Sequence, residues 1–321
     1  MSAVNRAPYW GWTAPVALAA LIGGLILTGV FAAVWLPASR LAVDLSGLLG
    51  LRFATMVLMA LFGFGITAVQ TTAFAYLAAS PGPDALRNDI AVSVVQQARA
   101  SYGVNISAAS VHVTLNPGYS YGSALSTVHF AALMIAAGLA TVIAAIGAGL
   151  LARRVGGRLP AIAAVALFAV SGLGFAVLPY HLIGATALTA LAGFGVGLLY
   201  PAAIELITET IPAGLQGIGA AVFGVALTVG STAAVAAFTA IRDRHPVAAD
   251  VQLRGGRTRQ VVPQLFADQG YTLGFWVALA PTAIGLLLAV ALLLTPGSVR
   301  TPPPVPVPPP FAPQGGFPIP R

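Results

Sequence analysis

Seven apolar runs, at about 14–36, 53–79, 124–152, 159–178, 182–204, 214–241 and 271–295, account for most of this chain. Each reaches or exceeds the roughly 20 residues that cross a hydrocarbon core as a helix. No water-soluble fold can cover so many runs, because too little polar surface is left over. Only 7% of the 321 residues are charged, against about a quarter in a soluble domain. The runs therefore predict an all-α, polytopic integral membrane helix bundle of about seven transmembrane helices. Pro, Gly, Ser and Thr inside the runs fit this reading, since neighbouring helices satisfy the freed backbone groups. The first run exceeds the roughly 7–15 apolar residues of a cleaved signal peptide and is expected to stay as a helix.

The remaining residues divide the chain. Residues 1–13 form a short lead with Trp10 and Trp12 at interface depth, where aromatic residues collect. Residues 14–52 are a first transmembrane helix and its connection, and 53–295 are a six-helix domain. Two polar inserts, 80–123 and 242–270, interrupt that domain. Asp84 opens a helix from about 85 to 100 whose apolar residues Ile90, Val94, Val95 and Ala98 are expected to lie on the membrane surface. The tail, 296–321, is dominated by proline and is expected to be extended or disordered.

The net charge of +7 falls mainly between the apolar runs, as topology signals do, so a nucleic-acid partner is not expected. The lipid bilayer is the expected surroundings, in a multi-pass arrangement. Arg153, Arg154 and Arg158 crowd into one short connection, which marks it as cytoplasmic and puts the N-terminus outside and the tail inside. The chain contains no cysteine. His112, His129, His181 and His245 are scattered, and no P-loop, HExxH or GxSxG spacing appears. Neither an enzyme nor a metal or cofactor site is expected.

Three stretches carry a family resemblance. Gly149-Leu150-Leu151-Ala152-Arg153-Arg154-Val155-Gly156-Gly157-Arg158 resembles the G-x-L-a-D-R-x-G-R-R loop of the major facilitator superfamily. The acidic position of that motif is Arg153 here. Residues 193–238, with Gly193, Gly195, Gly197 and Pro201, look like the family's G-x-G-x-x-x-P helix, its following loop and a glycine-rich helix. "LAVDLSGLLGLRFA" is similar to the segment before the seventh main helix of fourteen-helix drug–proton antiporters. The resemblance spans about 14–295, in order, as one linker helix plus a six-helix C-terminal half. It implies a carrier of small, amphipathic molecules in a plasma (inner) membrane, exporting by alternating access. The other half would be a second copy or a separate N-terminal half. Arginine as the basic residue, with much Ala, Gly, Val and Pro, suggests a bacterial source.

Read without the family, the same stretches give packing and switching candidates. Gly193 and Gly197, with Gly217 and Gly224, supply close-approach faces for helices in lipid. Glu205 and Glu209 lie one turn apart and repel, which Arg153, Arg154 or Arg158 would relieve as an ion-pair latch between two loops. Within the runs, Gln70, Thr71 and Thr72, and Thr228, Ser231 and Thr232, are the candidates for substrate contact. No Asp, Glu, Lys or Arg falls near a helix centre, so no proton-coupling residue is evident. A non-transporting scaffold, an accessory protein or a transporter relic is the alternative to the carrier.

Overall fold

Apolar runs that hydrogen-bond only within themselves should form helices whose ends are set by the polar inserts. The computed structural model, which describes residues 51–177, 180–253 and 256–294, is built this way. Among the described residues, six helices are long and apolar enough to cross a membrane: Leu51–Ala79, Thr127–Ala152, Arg158–Val177, Leu182–Thr210, Ala213–Arg242 and Asp268–Leu292. Their ends fall within three residues of the expected runs, except that the 182–204 helix continues six residues further, to Thr210. The expected 14–36 helix, the lead and the proline tail lie outside the described residues.

In chain order the elements are α1 (Leu51–Gly63), α2 (Gly65–Ala79), α3 (Pro83–Tyr102), β1 (His112–Asn116), α4 (Thr127–Val155), α5 (Arg158–Val177), α6 (Leu182–Thr210), α7 (Gln216–Arg242), β2 (Pro246–Leu253), β3 (Gly256–Phe266) and α8 (Asp268–Leu294). α1 and α2 form one rod, broken at Phe64 between two glycines. There the rod is crossed closely: a Cβ on Gly285 would lie 2.7 Å from the Gly63 nitrogen, and one on Gly65 would lie 2.9 Å from the Gly230 carbonyl oxygen. The main helix contacts are α1–α2 with α7 and α8, α4 with α6, α5 with α6 and α8, and α7 with α8. Aromatic side chains fill the core, including Phe74, Phe168, Phe175, Phe238 and Phe275. Phe175 and Phe275 stack at 5.1 Å.

The two inserts correct the all-α expectation. They fold together into a three-stranded antiparallel sheet in the order β1-β2-β3, with Thr114, Asp250 and Arg259 in register. The cause is alternation over 249–252: Ala249 and Val251 are buried against α3, while Asp250 and Gln252 are only half-buried. Four helices separate the inserts, an even number, so both emerge at the same end of the bundle. The surface-helix expectation is also corrected. α3 exists, but Ile90, Val94 and Val95 pack with Val111, Ala249 and Val251, so its apolar face covers the sheet rather than lipid.

The expected packing glycines separate into two groups. A Cβ on Gly193 would lie 2.5 Å from the Ala137 carbonyl oxygen, and one on Gly197 would meet the Thr141 oxygen and lie 2.7 Å from Ala144 Cβ. These two seat α6 on α4, where Thr141 Oγ1 also donates to the Gly193 carbonyl at 2.8 Å. A Cβ added at Gly217 or Gly224 would meet no neighbouring element within 4 Å among the described residues. The packing role expected for that pair is therefore not seen. Gly230, facing the Leu61 backbone, does the close packing on α7 instead. Pro201 sits inside α6 without ending it.

Candidate functional site

Small residues on α7 leave space beside α6. Ala220 and Gly224 face Tyr200 and Ile204 across a groove of about 550 Å³, closed at its floor by Phe64, Phe223 and Leu227. Thr228, Ser231 and Thr232 put hydroxyls into this groove. Thr228 Oγ1 donates to the Gly224 carbonyl at 2.9 Å, and Ser231 Oγ donates to the Leu227 carbonyl at 2.7 Å. With their protons committed to the backbone, these two hydroxyls face the groove as acceptors. The lining residues include no charged side chain.

The structure thus joins Thr228 and Ser231 and separates them from the other expected contact residues. Gln70 is fully buried and its Nε2 donates to Ser171 Oγ at 2.9 Å, clamping α2 to α5. Ser171 in turn donates to the Phe168 carbonyl at 3.1 Å. Thr71 donates to the Thr67 carbonyl at 3.0 Å from an exposed position, and Thr72 does not line the groove. Sequence reasoning missed Tyr200 and Phe64. Their signals were the residue before Pro201 and the aromatic between Gly63 and Gly65.

At one end of the bundle, α4 stops at Gly156, whose φ of +75° is a conformation glycine adopts without cost. Its N–H donates to the Ala152 carbonyl at 2.9 Å. The next residue, Gly157, lets the turn press on α6: a Cβ there would lie 2.7 Å from the Ala202 oxygen and 3.0 Å from Glu205 Cβ. A Cβ on Gly156 would lie 3.7 Å from Glu209 Oε1. The turn bearing Arg153, Arg154 and Arg158 therefore lies against the helix end bearing Glu205 and Glu209, both partly buried. A Cβ added at Gly149 would meet no neighbouring element within 4 Å among the described residues.

The other end is built around an arginine. Arg242 is fully buried, with its guanidinium carbon 4.2 Å from the centroids of both the Tyr76 and Phe266 rings. Asp243 Oδ1 accepts from its Nε at 3.0 Å and from Nη2 at 2.8 Å. A buried guanidinium needs such partners, because its desolvation is costly, and two ring faces add cation–π attraction. Around it, Tyr119, Tyr121, Tyr180 and Tyr271 form a chain of ring contacts. Tyr119 donates to the Pro81 carbonyl at 2.6 Å and Tyr121 to the Phe266 carbonyl. Ser120 N–H donates to Asp268 Oδ1 at 3.1 Å and Asp268 N–H to the Gly118 carbonyl at 3.0 Å. Burial pushes the Tyr119 hydroxyl up to about 12, and it raises Tyr121 and Tyr180 as well. In the sequence, Arg242 is simply the first residue of the polar insert 242–270. The aromatics at Phe238 and Phe266 and the adjacent Asp243 are the only hints of its burial.

No protein-family model matches the chain, and no curated protein matches it significantly.

Proposed function

We propose that the chain is one six-helix half of a membrane carrier, with the α6–α7 groove as part of its substrate path and a second copy or a separate half facing it. The observation that carries this reading is a partial exchange symmetry in the packing, from which α7/α8 departs because its image, α4/α5, touches only slightly. Swapping α1–α2 with α6, α4 with α7, and α5 with α8 maps the α1–α2/α7 contact onto α6/α4. The same swap maps α1–α2/α8 onto α6/α5, and α5/α8 onto itself. Three crossings separate the members of each pair, so they run in opposite directions. An inverted repeat of three helices within a six-helix unit is the plan of each half of a major-facilitator carrier, whose two halves meet about an axis along the membrane normal. The major-facilitator-like sequence stretches, described above, support the same reading. A small, uncharged amphipathic solute fits hydroxyl acceptors set among aromatic and aliphatic walls.

The groove's lack of a charged lining and the folded sheet cap favour a second reading, a scaffold that presents the cap to partners. Because the chain has no cysteine, single-cysteine variants distinguish the two directly. In native membranes, Thr228→Cys and Ser231→Cys should react with a water-soluble maleimide, and a transported solute should protect them. Ile135→Cys, on the exposed face of α4, should stay unreactive in lipid. Unreactive Thr228→Cys and Ser231→Cys would rule out a groove on a water-filled path and leave the scaffold.

A further inference from the structure

The sheet cap has one long free edge. Among the described residues β3 pairs only with β2, and every residue from Gly256 to Val261 is exposed. An unpaired strand edge is a row of backbone donors and acceptors that another extended chain can join. Arg257, Arg259 and Val261 share one face of this strand, being two residues apart. Arg257 stands across from Gln252, whose amide oxygen, when turned toward the guanidinium, accepts from Nη2 at 2.6 Å. Arg259 stands across from Asp250 and makes no ion pair among the described residues. Pro263, which has no N–H, and Gln264, with φ of +64°, end the usable edge just beyond Val262.

We infer that this edge is a docking site for an extended segment of another protein, added as a fourth strand and carrying an acidic side chain at alternate positions. Alternation follows from the strand repeat, which puts every second side chain of the guest beside Arg257 and Arg259. The guest is not this chain. Its eight acidic residues, at 44, 84, 89, 205, 209, 243, 250 and 268, never recur two apart. A second copy pairing edge to edge would bring arginines together, and like charges across a strand pair destabilise it.

The test uses the full chain in nanodiscs of zwitterionic lipid and a fluorescent peptide, Glu-Val-Glu-Thr-Glu-Val-Glu, followed by anisotropy at low salt. The peptide should bind and should slow hydrogen exchange at the β3 amides. Binding should weaken about tenfold or more in the R257E/R259E variant, as expected for reversed rim charges. A peptide of the same sequence with alternate amides methylated should fail to bind the wild-type chain. No binding of the first peptide, equal binding of the methylated peptide, or binding indifferent to R257E/R259E would each overturn the inference. The second result would leave only charge attraction without strand addition.

Discussion

The two ends of this bundle are held together by different physics. At the capped end, residues 117–121 and 266–271 are stitched by backbone and side-chain hydrogen bonds around the tyrosines, and Arg242 is locked between two rings and a carboxylate. At the opposite end, the glycine-bearing turn at Gly156 and Gly157 lies on the surface of α6, beside the half-buried Glu205 and Glu209. The first arrangement is expensive to break and fixes α2, α7, α8 and the sheet as one unit. The second can change partners cheaply, because exposed or half-exposed ion pairs contribute little to stability. Under the proposed function, the first end would serve as the rigid body and the second as the surface that lets go.

The largest effect is expected at Arg242. Arg242→Ala removes the guanidinium from its cage and leaves Asp243 without its partner, so thermal unfolding in detergent should show a loss of about 3 kcal/mol or more. A loss as small as that of an exposed substitution would mean the capped end is not locked. Next comes the α4–α6 seat. Gly197→Leu drives a side chain into the Thr141 backbone and should cost about 1–3 kcal/mol, while Gly217→Leu, in open space, should stay within about 0.5 kcal/mol.

Alkaline pH sharpens the contrast through the tyrosines. The folded Tyr119 keeps its proton up to about 12, whereas an unfolded tyrosine loses it near about 10. Its contribution to stability is therefore complete below pH ~10 and is lost as the pH rises toward about 12. Tyr121 and Tyr180 shift in the same direction. The unfolding midpoint should fall over this window, and Tyr119→Phe should flatten the fall; an unchanged slope in that variant would contradict the burial of its hydroxyl. The smallest effect belongs to Gln70. Gln70→Leu gives up one interhelical hydrogen bond and should change stability by about 0.6 kcal/mol. Solute binding should be untouched, because the side chain faces Ser171 and not the groove.

Much of this architecture was legible in the chain because helices in lipid are local objects. Each run is long enough, each satisfies its own backbone, and the six described helices follow the runs closely. The sheet was not legible, because β1 and β2 come from inserts separated by four helices, and alternation over so few residues does not announce a distant partner. That omission misdirected α3: its apolar stripe was read correctly, but lipid was the only cover in view. Thr228 and Ser231, which line the α6–α7 groove, stand out in the sequence because hydroxyls in an apolar helix are conspicuous. Gln70 is conspicuous for the same reason, but its amide clamps α2 to α5 rather than lining the groove, since a buried amide can as easily join two helices as meet a solute. Which polar side chain faces which neighbour is decided by helix rotation, and the nearly uniform apolarity of these helices leaves rotation unmarked.

Whether this bundle works as one half of a larger carrier is read most plainly from its native mass. The purified chain in detergent, with bound detergent subtracted, and a tagged copy drawn from its own membranes should both be weighed. A carrier half should show either twice the chain mass or a stoichiometric complex with another multi-helix membrane protein. A strict monomer in both preparations would contradict that role.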